Sequence, residues 1–143
     1  MILLDTTVLV YAKGQEHSLR EPCRELIDAV AEGRLEATTT VEAIQEFVHV
    51  RSRRRERVDA VEMGVDYIAL LSPLLRPDDR DLLDGLALYE RQETLGAFDA
   101  VLAAAALNAG IDALVSADAS FAQVARLTHV VPDAGGVASL LSA

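Results

Sequence analysis

The chain has no tryptophan, one cysteine, one lysine and few aromatic residues of any kind, and each shortage closes off a class of function. Cys23 stands alone, which excludes an internal disulfide and a zinc site built on cysteines. His17, His49 and His129 show no metal-ligand spacing, so each reads as an ordinary surface or half-buried residue. No apolar run approaches the ~20 residues of a membrane-spanning helix. A first strand that begins at Met1 leaves no place for a signal peptide. A soluble, cytoplasmic protein is the expectation. Aromatics make up 4% of the residues, so Ala, Leu and Val must fill the core. Basic charge is also scarce, with 13 Lys and Arg against 23 Asp and Glu and a net charge of −10. That balance disfavours nucleic-acid binding through the surface as a whole. Any such role needs a local basic patch or a bound metal ion.

What remains is a chain of 143 residues, long enough for one domain with a real core. It carries no internal repeat, low-complexity linker or domain boundary. Met1 to Leu4 is short, branched and wholly apolar, as a strand buried on both faces of a parallel sheet should be. Further along, helical and strand patterns alternate, which predicts an α/β fold with a parallel sheet. The spacing predicts helices over Val8–Ala12, Leu19–Ala31, Val41 to about Arg53, Val58–Leu71, Asp78–Arg91 and Phe98–Asn108. It predicts strands over Leu35–Thr38, Ala113–Ser116 and His129–Val131, with a weaker one at Leu74–Arg76 between Pro73 and Pro77.

The chemistry lies in the acids. Asp5 falls where the first strand ends, and in open α/β sheets the carboxyl ends of the strands form the functional crevice. Asp118 has the same relation to the strand ending at Ser116. Asp99 opens the Ala-rich helix; taken alone it reads as a first-turn acid of the kind that helix dipoles favour. Glu42 and Glu46 share a face of the third helix, four residues apart. Thr39 and Glu42 fit a capping box, which gives Glu42 a structural task and leaves Glu46 for function. Carboxylates that converge on one crevice repel one another unless a cation binds. Mg2+ and Mn2+ are hard ions that accept carboxylates, water and phosphate oxygens, and they can activate water against a phosphodiester. With no nucleophile and no Gly-rich phosphate loop beside them, these acids point to metal-dependent phosphodiester hydrolysis.

In this order and at this length, the pieces resemble the PIN-domain ribonucleases, and among them the VapC toxins of bacterial toxin–antitoxin pairs. The resemblance runs through Leu3-Leu4-Asp5-Thr6-Thr7-Val8-Leu9, Gln45-Glu46-Phe47, Phe98-Asp99-Ala100, and Val115-Ser116-Ala117-Asp118 with Phe121. It implies one PIN domain over residues 1–143, a three-layer α/β/α fold with a central parallel β-sheet. It implies an endoribonuclease whose catalytic acids are Asp5, Glu46, Asp99 and Asp118, with Mg2+ or Mn2+ held by Asp5 and Asp99. Thr7 and Ser116 match the hydroxyls the family keeps beside its metal, and Glu42 remains a rival to Glu46. A homodimer and a cognate antitoxin are implied as well.

Rival readings fit the residues less well. A haloacid-dehalogenase-type phosphatase needs a second Asp two residues after the first, where this chain has Thr7. A response-regulator receiver domain needs a late lysine, and the only lysine is Lys13. A PIN fold kept as a binding module would be marked by lost acids, and a housekeeping RNA-processing PIN nuclease would share them all. Arg51, Arg53, Arg54, Arg55 and Arg57 are either a solvated helix end or a phosphate-binding rim.

Overall fold

The computed structural model describes residues 1–143. Its sheet is built from β1 (Ile2–Leu4), β2 (Ala37–Thr38), β3 (Ala113–Val115) and β4 (His129–Val130) in the order β2-β1-β3-β4, all parallel. Successive residues of a strand face opposite sides of a sheet. Ile2 and Leu4 accordingly enter one core, with Val115, and Leu3 enters the other, with Leu114. Helices α1 (Thr6–Lys13), α2 (Arg20–Ala31), α3 (Val41–Ser52) and α4 (Arg57–Leu71) cover the first face. They are joined there by a C-terminal helix α7 (Ala134–Leu141). Helices α5 (Asp79–Arg91) and α6 (Ala97–Asn108) cover the second. The result is the expected three-layer α/β/α arrangement around a parallel sheet.

Two strands set the position of everything functional. β1 and β3 are the inner pair, in register from Ile2 opposite Ala113 to Leu4 opposite Val115. The Asp5 backbone N–H continues that ladder to the Val115 carbonyl at 2.9 Å. The chain therefore leaves the sheet at Asp5 and at Ser116 side by side.

Three local expectations are corrected. Leu74–Arg76 forms no strand; one bridge, Thr40 to Leu75, is all that survives between Pro73 and Pro77. The cap of α3 is Thr40, whose hydroxyl accepts from the Ala43 N–H at 3.0 Å, so Thr39 and Glu42 form no capping box. Thr39 instead donates to the Leu4 carbonyl at 2.7 Å and ties the start of α3 to the end of β1. Helix α7 is an addition that the sequence pattern did not predict. Gly135 and Gly136 in its first turn disfavour a helix, and the Asp133 carboxylate, which accepts from the Gly136 N–H at 2.7 Å, offsets them.

The α5–α6 pair depends on one small residue. A Cβ at Gly85 would stand 2.6 Å from the Val101 Cα, a backbone atom that cannot swing aside. Gly85→Ala should therefore destabilise the protein by about 1–2 kcal/mol, the overpacking cost exceeding the gain in helix propensity. A thermal melt checks this, and a raised midpoint would show that the two helices have room to separate.

Candidate active site

Asp5 occupies the N-cap position of α1 with extended backbone angles, yet its side chain caps nothing. It is 7% exposed, and its Oδ2 accepts from the Ser116 hydroxyl at 2.6 Å and from the Thr7 hydroxyl at 3.1 Å. Each hydroxyl is itself held by a backbone donor. The Ala117 N–H donates to Thr7 Oγ1 and the Asp118 N–H to Ser116 Oγ, both at 3.0 Å. A hydroxyl that accepts an N–H in this way has its own proton free for a carboxylate. Thr7 and Ser116 therefore fix the rotamer of Asp5 and leave Oδ1 without a protein donor. The sequence placed both hydroxyls beside the site, and the structure assigns them this orienting task.

Asp118 leaves β3 as Asp5 leaves β1, and it caps a 3-10 turn over Ala119–Gln123. The Ser120 N–H, 2.9 Å from Asp118 Oδ1, holds the carboxyl below its usual range. Asp99 lies in the first turn of α6 and behaves in the opposite way. Its pKa is pushed up to about 6, first by burial and then by the negative charges of Asp5, Asp118 and Glu46. Four acids from four separate elements thus lie near enough for the charges of three to act on Asp99. Glu46 is anchored there by the Thr6 hydroxyl, 3.3 Å from its Oε2. Glu42, exposed in the first turn of α3, takes no part in it.

The crevice also holds groups that the sequence pattern passed over. Thr6, the tether of Glu46, is separated from it by 40 positions, which no local spacing could reveal. His129 on β4 places Nε2 at 2.9 Å from the Ser116 carbonyl, and its ring meets Phe121 at 5.9 Å. It also favours the ionised form of Asp118.

The donor set suits a hard divalent cation. Its atoms are carboxylate and hydroxyl oxygens, with no thiol among them. Asp99 shows the repulsion that a cation would relieve. No three acidic, histidine or cysteine side chains form a cage that could hold a metal ion. A cage is not required, since Mg2+ commonly takes only one or two carboxylates and keeps several waters.

The raised pKa of Asp99 carries a consequence for stability. The group binds its proton more tightly folded than unfolded, so its contribution is intact below the usual value of 3.8 and is lost as pH rises through about 6. Asp99→Asn should thus stabilise the metal-free protein at pH 7 by about 1–2 kcal/mol, a figure reduced for partial solvent screening. Melts from pH 4 to 8 should show the variant's advantage growing with pH. An advantage that is flat across this range would mean that Asp99 is not crowded by charge.

The arginines after α3 divide into two kinds. Arg51 is committed: Nε lies 2.7 Å from Asp59 Oδ2, and Nη1 donates to the Lys13 carbonyl at 2.6 Å. Arg53, Arg54, Arg55 and Arg57 are exposed and form no ion pair. Arg54 and Arg55 border a pocket of about 80 Å3 floored by Val10, Phe47 and Val50.

Comparison with known proteins agrees with this fold. The PIN domain family model matches residues 2–127. The chain is 55% identical over 142 residues to Ribonuclease VapC7 of Mycobacterium tuberculosis, covering 99% of this chain and 98% of that protein. It is 28% identical to Ribonuclease VapC23 of the same species, over 88% of this chain and 99% of that one. Among solved structures, FitAcB from Neisseria gonorrhoeae superposes with a TM-score of 0.71 at 16% identity, covering 92% of this chain and 98% of that one. VapBC2 from Rickettsia felis, bound to a DNA fragment from its promoter, gives 0.70 at 15% identity with the same coverage.

Proposed function

The chain belongs to the PIN-domain family, and on that premise we propose that it is a VapC-type toxin: a metal-dependent endoribonuclease restrained by a protein antitoxin. We read residues 1–143 as one PIN domain acting in the cytoplasm. The observation that carries the reading is the convergence of Asp5, Glu46, Asp99 and Asp118 on one crevice, where Asp99 is destabilised as an anion. The 55% identity to a ribonuclease over nearly the whole chain supports it.

When bound, Mg2+ or Mn2+ would supply an activated water and a counter-charge for the phosphoryl transition state. The chain's residues do the rest. Asp5 and Asp99 would hold the ion, Asp5 with the oxygen that the Thr7 and Ser116 hydroxyls leave free. The repulsion on ionised Asp99 would be relieved there. Glu46, steadied by Thr6, and Asp118, steadied by Ser120, contribute through water or a second ion. Asp118 is the acid best fitted to stay ionised, since backbone donation holds its pKa low, and this suits it to a charge-bearing role more than to proton acceptance.

The test is cleavage of an unstructured RNA by the purified protein with Mg2+ or Mn2+, and its loss on adding EDTA. Activity that survives EDTA would sink the metal-dependent reading.

RNA backbone binding falls to the free arginines. Arg53, Arg54 and Arg55 follow the C-terminal end of α3, the helix that carries Glu46. Reversing Arg53, Arg54 and Arg55 to Glu should weaken RNA binding and flatten its salt dependence by ~0.7 log units per lost contact. An unchanged slope would return these residues to a solvated helix end.

A homodimer accounts for apolar side chains left in solvent. Leu82, Leu83, Leu86 and Tyr89 form such a row on α5, each at least 47% exposed.

A further inference from the structure

Half of this chain's six Phe and Tyr rings are buried. Phe47 is 1% exposed, Phe121 0% and Tyr67 2%. Phe98 is the opposite case, 88% exposed, the most solvent-exposed of all the large apolar side chains. It directly precedes Asp99, so the two Cα atoms are ~3.8 Å apart. Successive helical residues point about 100° apart. Asp99 turns toward the crevice, and Phe98 stands at its mouth.

The residues before Phe98 keep that mouth open. Gly96 has an ordinary φ of −69°, and a Cβ placed on it would meet nothing within 4 Å. Neither backbone nor packing asks for glycine there. Ala97 is exposed and small. As the N-cap of α6, Gly96 also offers no side-chain cap, so first-turn N–H groups are left free beside the ring. A flat face with clear approach, next to a carboxylate that handles a phosphodiester, is the arrangement that receives a nucleobase.

We infer that Phe98 is the stacking platform for an RNA base next to the scissile phosphate. This rests on the ribonuclease reading of the acids. Stacking supplies affinity without charge, which matters for a protein of net charge −10 whose free arginines lie beyond the end of α3. It tolerates many sequences because every base has a π-face. The exposed row on α5 offers a chain–chain contact of its own, so a homodimer does not require Phe98.

The chain has no tryptophan, which makes a clean reporter possible. Phe98→Trp in an Asp5→Asn background places a single indole at the crevice mouth of a protein expected not to cut its ligand. A 12-nucleotide RNA should quench its emission, and an abasic oligonucleotide of the same length should not. In the cleaving protein, Phe98→Leu should raise KM by ~5- to 100-fold, the range of one base–aromatic stack, with a smaller change in kcat. Phe98→Tyr and Phe98→Trp should restore KM. Equal quenching by the abasic strand, or a KM unmoved by Phe98→Leu, would overturn the inference. So would conversion of a dimer to a monomer by Phe98→Leu in light scattering, which would assign the ring to a second copy of the chain. If the wild type cleaves no RNA, the function proposed above fails, and the fluorescence comparison still decides whether Phe98 meets a base.

Discussion

Asp5→Asn should abolish RNA cleavage, by at least about 10³-fold, in a protein that folds as well as the wild type. The loss follows from the single free oxygen of Asp5. Oδ2 is engaged by the Ser116 and Thr7 hydroxyls, so Oδ1 is the atom left to meet a cation. In the asparagine variant the carbonyl oxygen, with two lone pairs, can satisfy both hydroxyls, which turns the amide NH2 toward the crevice. A donor then stands where an anionic ligand stood. Removing a ligand that helps stabilise phosphoryl charge costs several kcal/mol at the transition state, and each ~1.4 kcal/mol is a factor of ten in rate. The fold should survive because Asp5 belongs to a crowd of like charges and the new NH2 faces carboxylates that can accept from it. Cleavage rates measured beside thermal melts separate the two effects. Near-normal cleavage by both Asp5→Asn and Asp99→Asn would mean that the site is misplaced. Loss of cleavage with a collapsed melt would mean that Asp5 is a structural cap after all.

The parts of this site that could be read from the sequence are those written in local pattern. An apolar run that stops at an acid marks a strand end, and it does so twice, at Asp5 and at Asp118. The structure sets those two ends in register through Leu4 and Val115. Asp99 needed more, because a first-turn acid is ordinary; only its placement among Asp5, Asp118 and Glu46 distinguishes it. The choice between Glu42 and Glu46 rested on a capping box that does not form. Thr39 and Thr40 are adjacent and chemically equal as caps, and the deciding fact is that the Leu4 carbonyl claims Thr39. The Thr6–Glu46 contact and the Ser116–His129 contact join distant segments, so no spacing rule could carry them. Helix α7 was hidden by Gly135 and Gly136, residues that lower helix propensity while its apolar Val137 is buried against the first core.

Expression of the wild type in a bacterium without an antitoxin should arrest growth, while Asp5→Asn should be harmless and the small open reading frame beside the toxin gene should restore growth. A metal-dependent ribonuclease loose in the cytoplasm would attack the RNA of its own cell, so such a chain implies a partner that closes the crevice. Solved structures of this fold include VapBC2 and FitAB. The form of the closure follows from charge. Four carboxylates at the crevice and a net charge of −10 favour a basic segment. A guanidinium pairs with carboxylates bidentately and could take the cation's place near Asp5 and Asp99. Charge gives steering more than affinity, so the segment also needs apolar anchors. Helices α2 and α3, each packed against α1, are the walls we expect it to follow. The pocket floored by Val10, Phe47 and Val50 offers one anchor point, and the acids Glu21, Glu25, Asp28 and Glu32 along α2 offer a charged flank. Reversing Glu25 and Asp28 to Lys should therefore slow association with the antitoxin and leave cleavage of RNA unchanged. A wild type that cleaves RNA with Mg2+ yet leaves growth untouched would instead describe a housekeeping RNA-processing enzyme, with the same four acids and no need of a jailer.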